Sequence, residues 1–304
     1  MIDVFTFKDA IHDNTWKRID ENHPIDIFIG KDGNGRYAFE YSGNFKINKR
    51  IRSSKLIDVV HYTNNIGKMF LVFALTDNNC LRQFCAFCND IVESTISIKG
   101  DDNVIYKTIC NVFFTWQKMF RVQSSLLSEK EIKGLIGELL FLKNELIPVY
   151  GETESILAWT GPESAKKDFS INSTWFEIKS VDCSKNSVTI SSMDQLDSDV
   201  VGNLIIYRLE KMAPEFNGVS INELTESILA QITLLSNKDI FIDKLLKVKY
   251  SFESQYDTLV YAVKDIECYK VTEKFPRLER GKIHHAINSA TYELTISDLL
   301  DFKI

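Results

Sequence analysis

The chain has 304 residues, of which 44% are hydrophobic and 26% charged, and a formal net charge of −6. This composition is typical of a globular protein with one large or two medium domains, and the negative charge argues against coating nucleic acid by bulk electrostatics. No apolar run reaches transmembrane length and the N-terminus lacks signal-peptide regions, so we expect a cytoplasmic protein with no membrane partner.

After a polar N-terminal segment, the first part of the sequence contains runs typical of β-strands. We expect a short helix over residues 9–20 and then strands, separated by turn signals, at residues 25–31, 36–41, 45–51, 57–62 and 68–75. Short strands of this kind predict an antiparallel sheet or small barrel. The glycines at positions 30, 33 and 35 precede a strand and lack a Gly-Lys-Ser/Thr ending, which favours a hairpin over a phosphate loop.

Two amphipathic helices follow, near residues 81–92 and 104–121. Cys80, Cys85 and Cys88 have a spacing that superficially resembles an iron–sulfur arrangement, but Cys85 and Cys88 also lie on the apolar stripe of the first helix, which favours buried free thiols. We place a domain boundary near residues 122–128. It separates an N-terminal β-rich domain with C-terminal helices (1–125) from a second domain (126–304).

Ser128 and Glu131 form a capping box that begins the next helix. We expect this helix to run to about residue 146 and to stop before Pro148. Gly134 and Gly137 would let it approach a sheet closely, at a cost of about 1 kcal/mol each in helix propensity.

Glu138 is the only polar side chain in residues 134–142 of that helix. Burying an unpaired carboxylate costs several kcal/mol, so Glu138 requires a metal ion or a cationic partner. A buried pair with Arg or Lys is the alternative interpretation.

After the helix, residues 155–159 are expected to form the first core strand, and Gly161-Pro162 to turn the chain. Two short strands, residues 168–171 and 174–181, are joined by Asn172-Ser173, which predicts a tight hairpin. The pairing brings Asp168 near Glu177, and strand alternation puts Glu177 and Lys179 on one face.

Two carboxylates and an ammonium at one place suit a hard, oxygen-seeking cation such as Mg²⁺. Taken alone, Asp168, Glu177 and Lys179 would favour an ordinary cross-strand ion pair on a surface hairpin, because such triples are common by chance. Glu138 adds a third carboxylate that needs a cation, and this favours a metal site.

These motifs resemble the PD-(D/E)XK nuclease superfamily. The resemblance is carried by Glu138 on its apolar helix, Trp159-Thr-Gly-Pro162, Asp168, and Glu177-Ile178-Lys179-Ser180. Within the superfamily the chain is similar to bacterial proteins called "PD-(D/E)XK motif protein", often encoded beside restriction-modification or phage-defence genes. The similarity covers about residues 130–208 and, more weakly, 275–302.

Two positions depart from the superfamily pattern. Lys167 stands where the signature proline would be, and Gln195 is followed four residues later by Asp199 instead of tyrosine. The second departure disfavours a processive exonuclease of the recombination branch.

The resemblance implies a restriction-endonuclease-like fold of the α+β or α/β class, with a mixed central sheet flanked by helices. It further implies that Asp168, Glu177 and the carbonyl of Ile178 hold Mg²⁺, for which Mn²⁺ can substitute. Glu138 would hold a second ion or bind the first through water, and Lys179 would orient or deprotonate the attacking water. The implied activity is Mg²⁺-dependent endonucleolytic hydrolysis of DNA in a bacterial restriction or phage-defence system.

Downstream, strands are expected at residues 187–190, 203–209 and 259–271, and helices over 220–248. Residues 191–197 are expected to form a short helix or turn in which Gln195, with Ser192, holds a phosphate or base edge or simply caps the segment. Other candidate phosphate contacts are Lys167, Arg277 and Arg280, although a solvated connector explains the loop that carries the two arginines equally well.

Two other functions remain open at this point. One is a DNA-binding or scaffold subunit of a defence complex that has kept the fold but is inactive alone, as the acidic composition would suit. The other is a nucleotide hydrolase, which is disfavoured because no phosphate-gripping glycine loop is present. The expected partners are DNA, other restriction or defence proteins, and a second copy of the chain, since cutting both strands implies two active sites.

Overall fold

The computed structural model describes residues 2–9, 15–47, 51–120 and 125–304. The chain divides into two compact units. The first comprises residues 1–124 together with 233–242 and 251–254, and the second comprises 125–232, 243–250 and 255–304. No helix among the described residues is both long and apolar enough to cross a membrane.

The first unit contains a five-stranded antiparallel sheet of order β1-β2-β3-β5-β4. Its strands are β1 (Trp16–Arg18), β2 (Asp26–Lys31), β3 (Tyr37–Gly43), β4 (Ile57–Thr63) and β5 (Met69–Leu75). Four of the five predicted strands are therefore confirmed, because turn residues bound each alternating run.

The predicted helix over residues 9–20 is wrong where the structure describes it. Helix α1 (Val4–Asp9) ends at its predicted beginning, and Trp16 lies in a strand paired with Gly30. Without a Cβ, Gly30 leaves room for the Trp16 ring. This pairing between distant residues overrides local helix propensity, while residues 10–14 lie outside the described part of the chain.

The predicted strand at residues 45–51 is also wrong over its described positions, 45–47 and 51. Side chains instead of a neighbouring strand accept the backbone N–H groups there. Asn44 N donates to Asp102 Oδ2 at 2.5 Å and Lys46 N to Asn103 Oδ1 at 2.9 Å. Residues 48–50 lie outside the described ranges.

Helices α2 (Leu81–Thr95) and α3 (Asp102–Met119) confirm the two predicted amphipathic helices. Between them, Asp90 is buried and accepts a hydrogen bond of 2.7 Å from Trp116 Nε1. Its other oxygen pairs with Lys238, which is only 5% exposed. Burial raises the pKa of Asp90 and the lysine opposes that shift, so the segment 233–242 supplies the charge that the first unit needs at its core.

The second unit is built on a mixed four-stranded sheet of order β10-β9-β7-β6, in which β7 and β9 are parallel and the other pairs antiparallel. A two-stranded sheet pairs β8 with β11. The strands are β6 (Phe169–Ile171), β7 (Thr174–Asp182), β8 (Ser187–Ile190), β9 (Gly202–Met212), β10 (Val260–Val271) and β11 (Tyr292–Thr295). The helices are α4 (Glu129–Phe141), α5 (Ile147–Ala158), α6 (Ile221–Gln231) and α7 (Leu235–Lys247), the last divided between the two units. The predicted α+β class with a mixed central sheet is confirmed.

The capping box at Ser128 is present, but the predicted end of its helix is wrong. Helix α4 passes through one π turn, Leu142–Leu146, directly into α5. Pro148 is the second residue of α5 and lies two positions after the end of the π turn, so the helix continues through it.

The predicted strand at residues 155–159 is helical up to Ala158. Ser155, Ile156 and Trp159 are fully buried, which is the i, i+1, i+4 spacing of one helix face. Trp159 alone makes an isolated antiparallel bridge, to Phe169.

The two glycines of α4 have different surroundings. A Cβ at position 137 would overlap Ser180 Oγ and touch Ile178, so Gly137 does allow α4 to lie close against β7. A Cβ at position 134 would meet nothing within 4 Å. The prediction that Gly134 also serves close packing against the sheet is therefore wrong.

This contrast predicts the stability of two matched variants. Gly134→Ala and Gly137→Ala gain the same helix propensity, about 1 kcal/mol, but only the second must displace Ser180, at a cost of about 1–3 kcal/mol. We expect Gly134→Ala to raise the free energy of unfolding, measured by urea denaturation, and Gly137→Ala to fall at least about 1 kcal/mol below it. Equal stabilities would contradict the packing role of Gly137.

Candidate active site

The β6–β7 hairpin places Asp168 beside the start of the paired strands. Its two turn residues, Asn172 and Ser173, both have positive φ (47° and 60°), as a two-residue hairpin of type I′ requires. The register pairs Phe169 with Phe176. Asp168 and Glu177 are the next residues along the two strands, so they lie opposite each other.

Asp168 is held from three backbone donors. Its carbonyl accepts hydrogen bonds from Thr160 N (2.8 Å) and Gly161 N (2.9 Å), and its Oδ2 accepts one from Ile178 N (2.8 Å). The N–H and C=O of a strand residue point to the same side, so the carbonyl of Ile178 is directed towards the Asp168 side.

Glu177 and Lys179 form a buried ion pair on one face of β7. Glu177 is 0% exposed, and its Oε1 accepts a hydrogen bond of 2.7 Å from Lys179 Nζ. Lys179 Nζ lies 3.3 Å from Gln195 Oε1, which also accepts from Ser191 N at 2.7 Å. The second oxygen of Glu177, Oε2, is buried without a hydrogen-bond partner.

Glu138 approaches the same place from α4. Its Oε2 accepts a hydrogen bond of 2.7 Å from Trp159 Nε1. A Cβ at position 161 would lie 3.4 Å from that oxygen and 3.2 Å from Asp168 Oδ1. The carboxylates of Glu138 and Asp168 therefore both lie close to Gly161, whose lack of a side chain leaves space for them.

The pKa values reflect three carboxyl groups and one ammonium in a poorly solvated place. Burial, followed by the charge of Asp168, raises the pKa of Glu138 to about 8. Burial also raises the pKa of Glu177 to about 8 against the opposing effect of Lys179, and raises that of Asp168. Burial lowers the pKa of Lys179, but Glu177 and Asp168 together outweigh burial and the net shift is upward.

Three of these groups, Glu138, Asp168 and Lys179, line a cleft of about 630 Å³, the active cleft, whereas Glu177 has no exposed surface. Gln195, Lys130, Lys133 and Lys185 also line this cleft. The enclosing protein desolvates the Glu138 carboxylate although part of the residue reaches the cleft. A ligand in the cleft can therefore reach Glu138, Asp168 and Lys179.

Lys167, predicted to contact a phosphate, is instead bound to the protein's own main chain. Lys167 Nζ donates to the carbonyls of Asp194 (2.8 Å), Gln195 (2.7 Å) and Asp197 (3.1 Å), and lies 3.9 Å from the centre of the Trp175 ring. Burial lowers its pKa to about 8. In place of the signature proline, this lysine holds the turn that carries Gln195.

Arg277 and Arg280 also bind the protein itself. The Arg277 side chain is 6% exposed, and its Nη1 donates to Leu196 O at 3.3 Å. Arg280 is exposed, but its Nη1 donates to Ile287 O at 2.5 Å. Ser192 directly precedes the 3₁₀ turn Met193–Gln195, and its side chain makes no capping hydrogen bond there.

Two residues contribute to the site although no sequence pattern indicated a role for them. Trp159 donates to Glu138, and buried Lys244 donates to the carbonyl of Trp159 at 2.5 Å and to that of Leu157 at 3.2 Å. An indole beside a motif is a detectable signal, since a buried Trp N–H usually finds an acceptor. Lys244 gave no signal, because its helix looks like an ordinary amphipathic one.

The residues fit a divalent cation. Glu177 Oε2 is an orphaned buried oxygen, and it adjoins two further carboxyl groups whose pKa values are raised. Among the described residues no group of three or more Asp, Glu, His or Cys side chains is placed to hold a metal ion. A cation at this site would therefore take only one or two of these carboxylates directly, which Mg²⁺ can do because it keeps several waters.

Comparison with known proteins identifies one family. The family model described as "Putative PD-(D/E)XK family member, (DUF4420)" matches residues 9–297. No curated protein and no solved structure matches.

The raised pKa values predict how metal binding depends on pH. Below pH 8 the carboxyls of Glu138 and Glu177 are largely protonated, so a cation must displace protons. We expect the affinity for Mn²⁺ to rise from pH 6 to 8, by about tenfold per pH unit for each proton released, and to level above about pH 9. Isothermal titration calorimetry in buffers of different ionisation enthalpy measures both the affinity for Mn²⁺ and the number of protons released.

The variant Glu177→Gln tests whether Glu177 supplies the protons released when Mn²⁺ binds. The control is Glu215→Gln, because Glu215 is exposed. Proton release should fall in the first variant and not in the second. An affinity for Mn²⁺ that is flat from pH 6 to 9 in the wild type would contradict the assignment.

Trp159→Phe isolates the hydrogen bond to Glu138. The ring remains to fill its buried position, but the N–H is lost, so the charged form of Glu138 loses a stabilising donor. We expect the pH midpoint of Mn²⁺ binding to move upward and the free energy of unfolding at pH 8 to fall by about 1–3 kcal/mol. An unchanged midpoint would mean that the indole does not influence the carboxylate.

Proposed function

The chain belongs to the PD-(D/E)XK family that matches it over residues 9–297, and from that premise we propose that it is a divalent-metal-dependent DNA endonuclease. One observation carries the proposal: Glu138, Asp168 and Lys179 line an open cleft, and Lys179 pairs with buried Glu177, whose second oxygen has no hydrogen-bond partner. Clustered ionisable groups with displaced pKa values in a cleft are typical of catalytic sites.

In this proposal Asp168, Glu177 and the carbonyl of Ile178 hold the cation, Mg²⁺ or Mn²⁺, and Glu138 holds a second ion or reaches the first through water. Bound there, a divalent cation polarises the scissile phosphate and makes the attacking water more acidic. The protein's contribution is a fixed arrangement. Ile178 N and the 160–161 loop hold Asp168, and Trp159 holds Glu138.

Lys179 orients the attacking water or takes its proton, and its ammonium offsets the negative charge that develops on the phosphate. An ammonium is a compact charge with a tunable pKa, which suits both roles. Gln195 Oε1 and Glu177 Oε1 each lie within hydrogen-bonding distance of Lys179 Nζ. They fix its position, and Lys167 in turn fixes the backbone of Gln195.

We place this activity in a bacterial restriction or phage-defence system, on the strength of the sequence resemblance. Such an enzyme works with other restriction or defence proteins. A homodimer would supply the two active sites needed to cut both strands of a duplex.

A second candidate is a DNA-binding or scaffold subunit that is inactive alone. The net charge of −6 favours it, as does the engagement of Lys167 and Arg277 in internal hydrogen bonds. Burying three carboxyl groups with one lysine would, however, destabilise a scaffold without any gain in function.

The test is metal-dependent cleavage of plasmid and linear DNA, methylated and unmethylated, by the full chain. Asp168→Asn, Glu177→Gln and Lys179→Met should each lower the rate by at least about 10²–10³, because positioning and electrostatics dominate this chemistry. Matched exposed controls that do not line the active cleft, Asp301→Asn and Lys270→Met, should cut as the wild type does.

Equal loss in the controls would assign the effect to general charge and not to the site. Absence of cutting under every condition, with DNA still bound by the folded wild type, would favour the scaffold subunit.

A further inference from the structure

A second cleft adjoins the active cleft on the same unit. This flank cleft, of about 400 Å³, is lined by Leu127, Glu131, Gly134, Glu138, Lys247 and Lys249, among others. Gly134 and Glu138 line the active cleft as well. The two clefts therefore meet on the exposed side of α4, at the carboxylate of the proposed catalytic site.

Gly134 lies at this junction without a packing reason. A Cβ there would meet nothing, and its φ lies outside the left-handed region. A glycine in a helix interior lowers stability relative to alanine, and no contact within the described protein compensates for it. The remaining use of such a glycine is to let a ligand approach the backbone closely.

Lys249 shows the opposite anomaly in the flank cleft. It follows α7 with φ of 63°, and Lys249 N and Tyr250 N donate back to Leu246 O and Leu245 O. This is the helix-ending position that glycine or asparagine normally occupies, since a left-handed backbone brings the Cβ atom of other residues too close to the following carbonyl oxygen. Strain retained at a cleft indicates that the side chain is needed there.

The charges suit an anionic chain. Lys249 is exposed, and Lys247 pairs with Glu163 at 3.1 Å across the surface. Glu131, the acidic residue beside them, accepts hydrogen bonds from Ser128, which together with the charge of Lys249 lower its pKa. The lining of the active cleft adds Lys130, Lys133 and Lys185 and two acidic residues that are each paired with a lysine, Asp182 with Lys133 and Glu129 with Lys211.

We propose that the flank cleft binds the phosphodiester backbone of the DNA strand whose scissile phosphate occupies the active cleft. Lys249 contacts a phosphate beyond the cut, and Gly134 lets the strand cross α4 between the two clefts. This inference rests on the proposed nuclease function and adds the path of its substrate.

The test measures binding of fluorescein-labelled DNA, single-stranded and duplex, to full-length protein by anisotropy over a range of salt concentrations. Lys249→Gly removes the charge and also the backbone strain. We expect its melting temperature to rise while its affinity for DNA falls several-fold, with the slope of log affinity against log salt reduced by about one. Lys249→Arg, which keeps the charge, should bind as the wild type does.

Gly134→Leu should likewise weaken binding, and Gly134→Ala should raise the melting temperature in the same way as Lys249→Gly. A purely structural role cannot give higher stability with weaker, less salt-dependent binding.

The outcomes separate the two proposals. If Lys249→Gly and Gly134→Leu bind DNA with wild-type affinity and salt slope, while Asp168→Asn still abolishes cleavage, the strand path is wrong and the nuclease stands. If the wild type binds no DNA with or without Mg²⁺, both proposals fall.

Discussion

The structure of the second unit depends on an imbalance of charge. Glu138, Asp168 and Glu177 converge on one ammonium, that of Lys179, where water is largely excluded. The surrounding fold keeps these groups together: the two-residue turn sets the register, Gly137 brings α4 onto β7, and an indole holds Glu138. Packing of this kind is tolerated where the carboxyl groups take up protons, as the raised pKa values of Glu138 and Glu177 indicate, or where positive charge comes from outside the chain.

Features of the site that follow local rules could be read from the sequence. The hairpin needs two turn residues of positive φ, and alternation in β7 then places Glu177 and Lys179 on one face. The capping box likewise fixed where α4 begins. These rules involve residues a few positions apart, so they hold whatever the rest of the chain does.

Features set by distant partners could not be read in this way. Trp16 lies in a strand because Gly30 makes room for its ring, and Pro148 follows a π turn that no short pattern announces. Lysines and arginines near the motifs looked equally able to meet DNA. Tertiary packing decides that Lys167 and Arg277 bind main-chain carbonyls while Lys249 stays exposed.

The buried pair of Asp90 and Lys238 has a consequence for how the chain is made. A nascent chain that has emerged only to residue 124 contains the whole first sheet but not residues 233–242 or 251–254. At about 5–20 residues per second, a ribosome needs roughly 5–20 s more to deliver Lys238. Throughout that interval Asp90 lacks the cation that it pairs with in the folded protein, so the first unit cannot complete its core before residue 238 has been made.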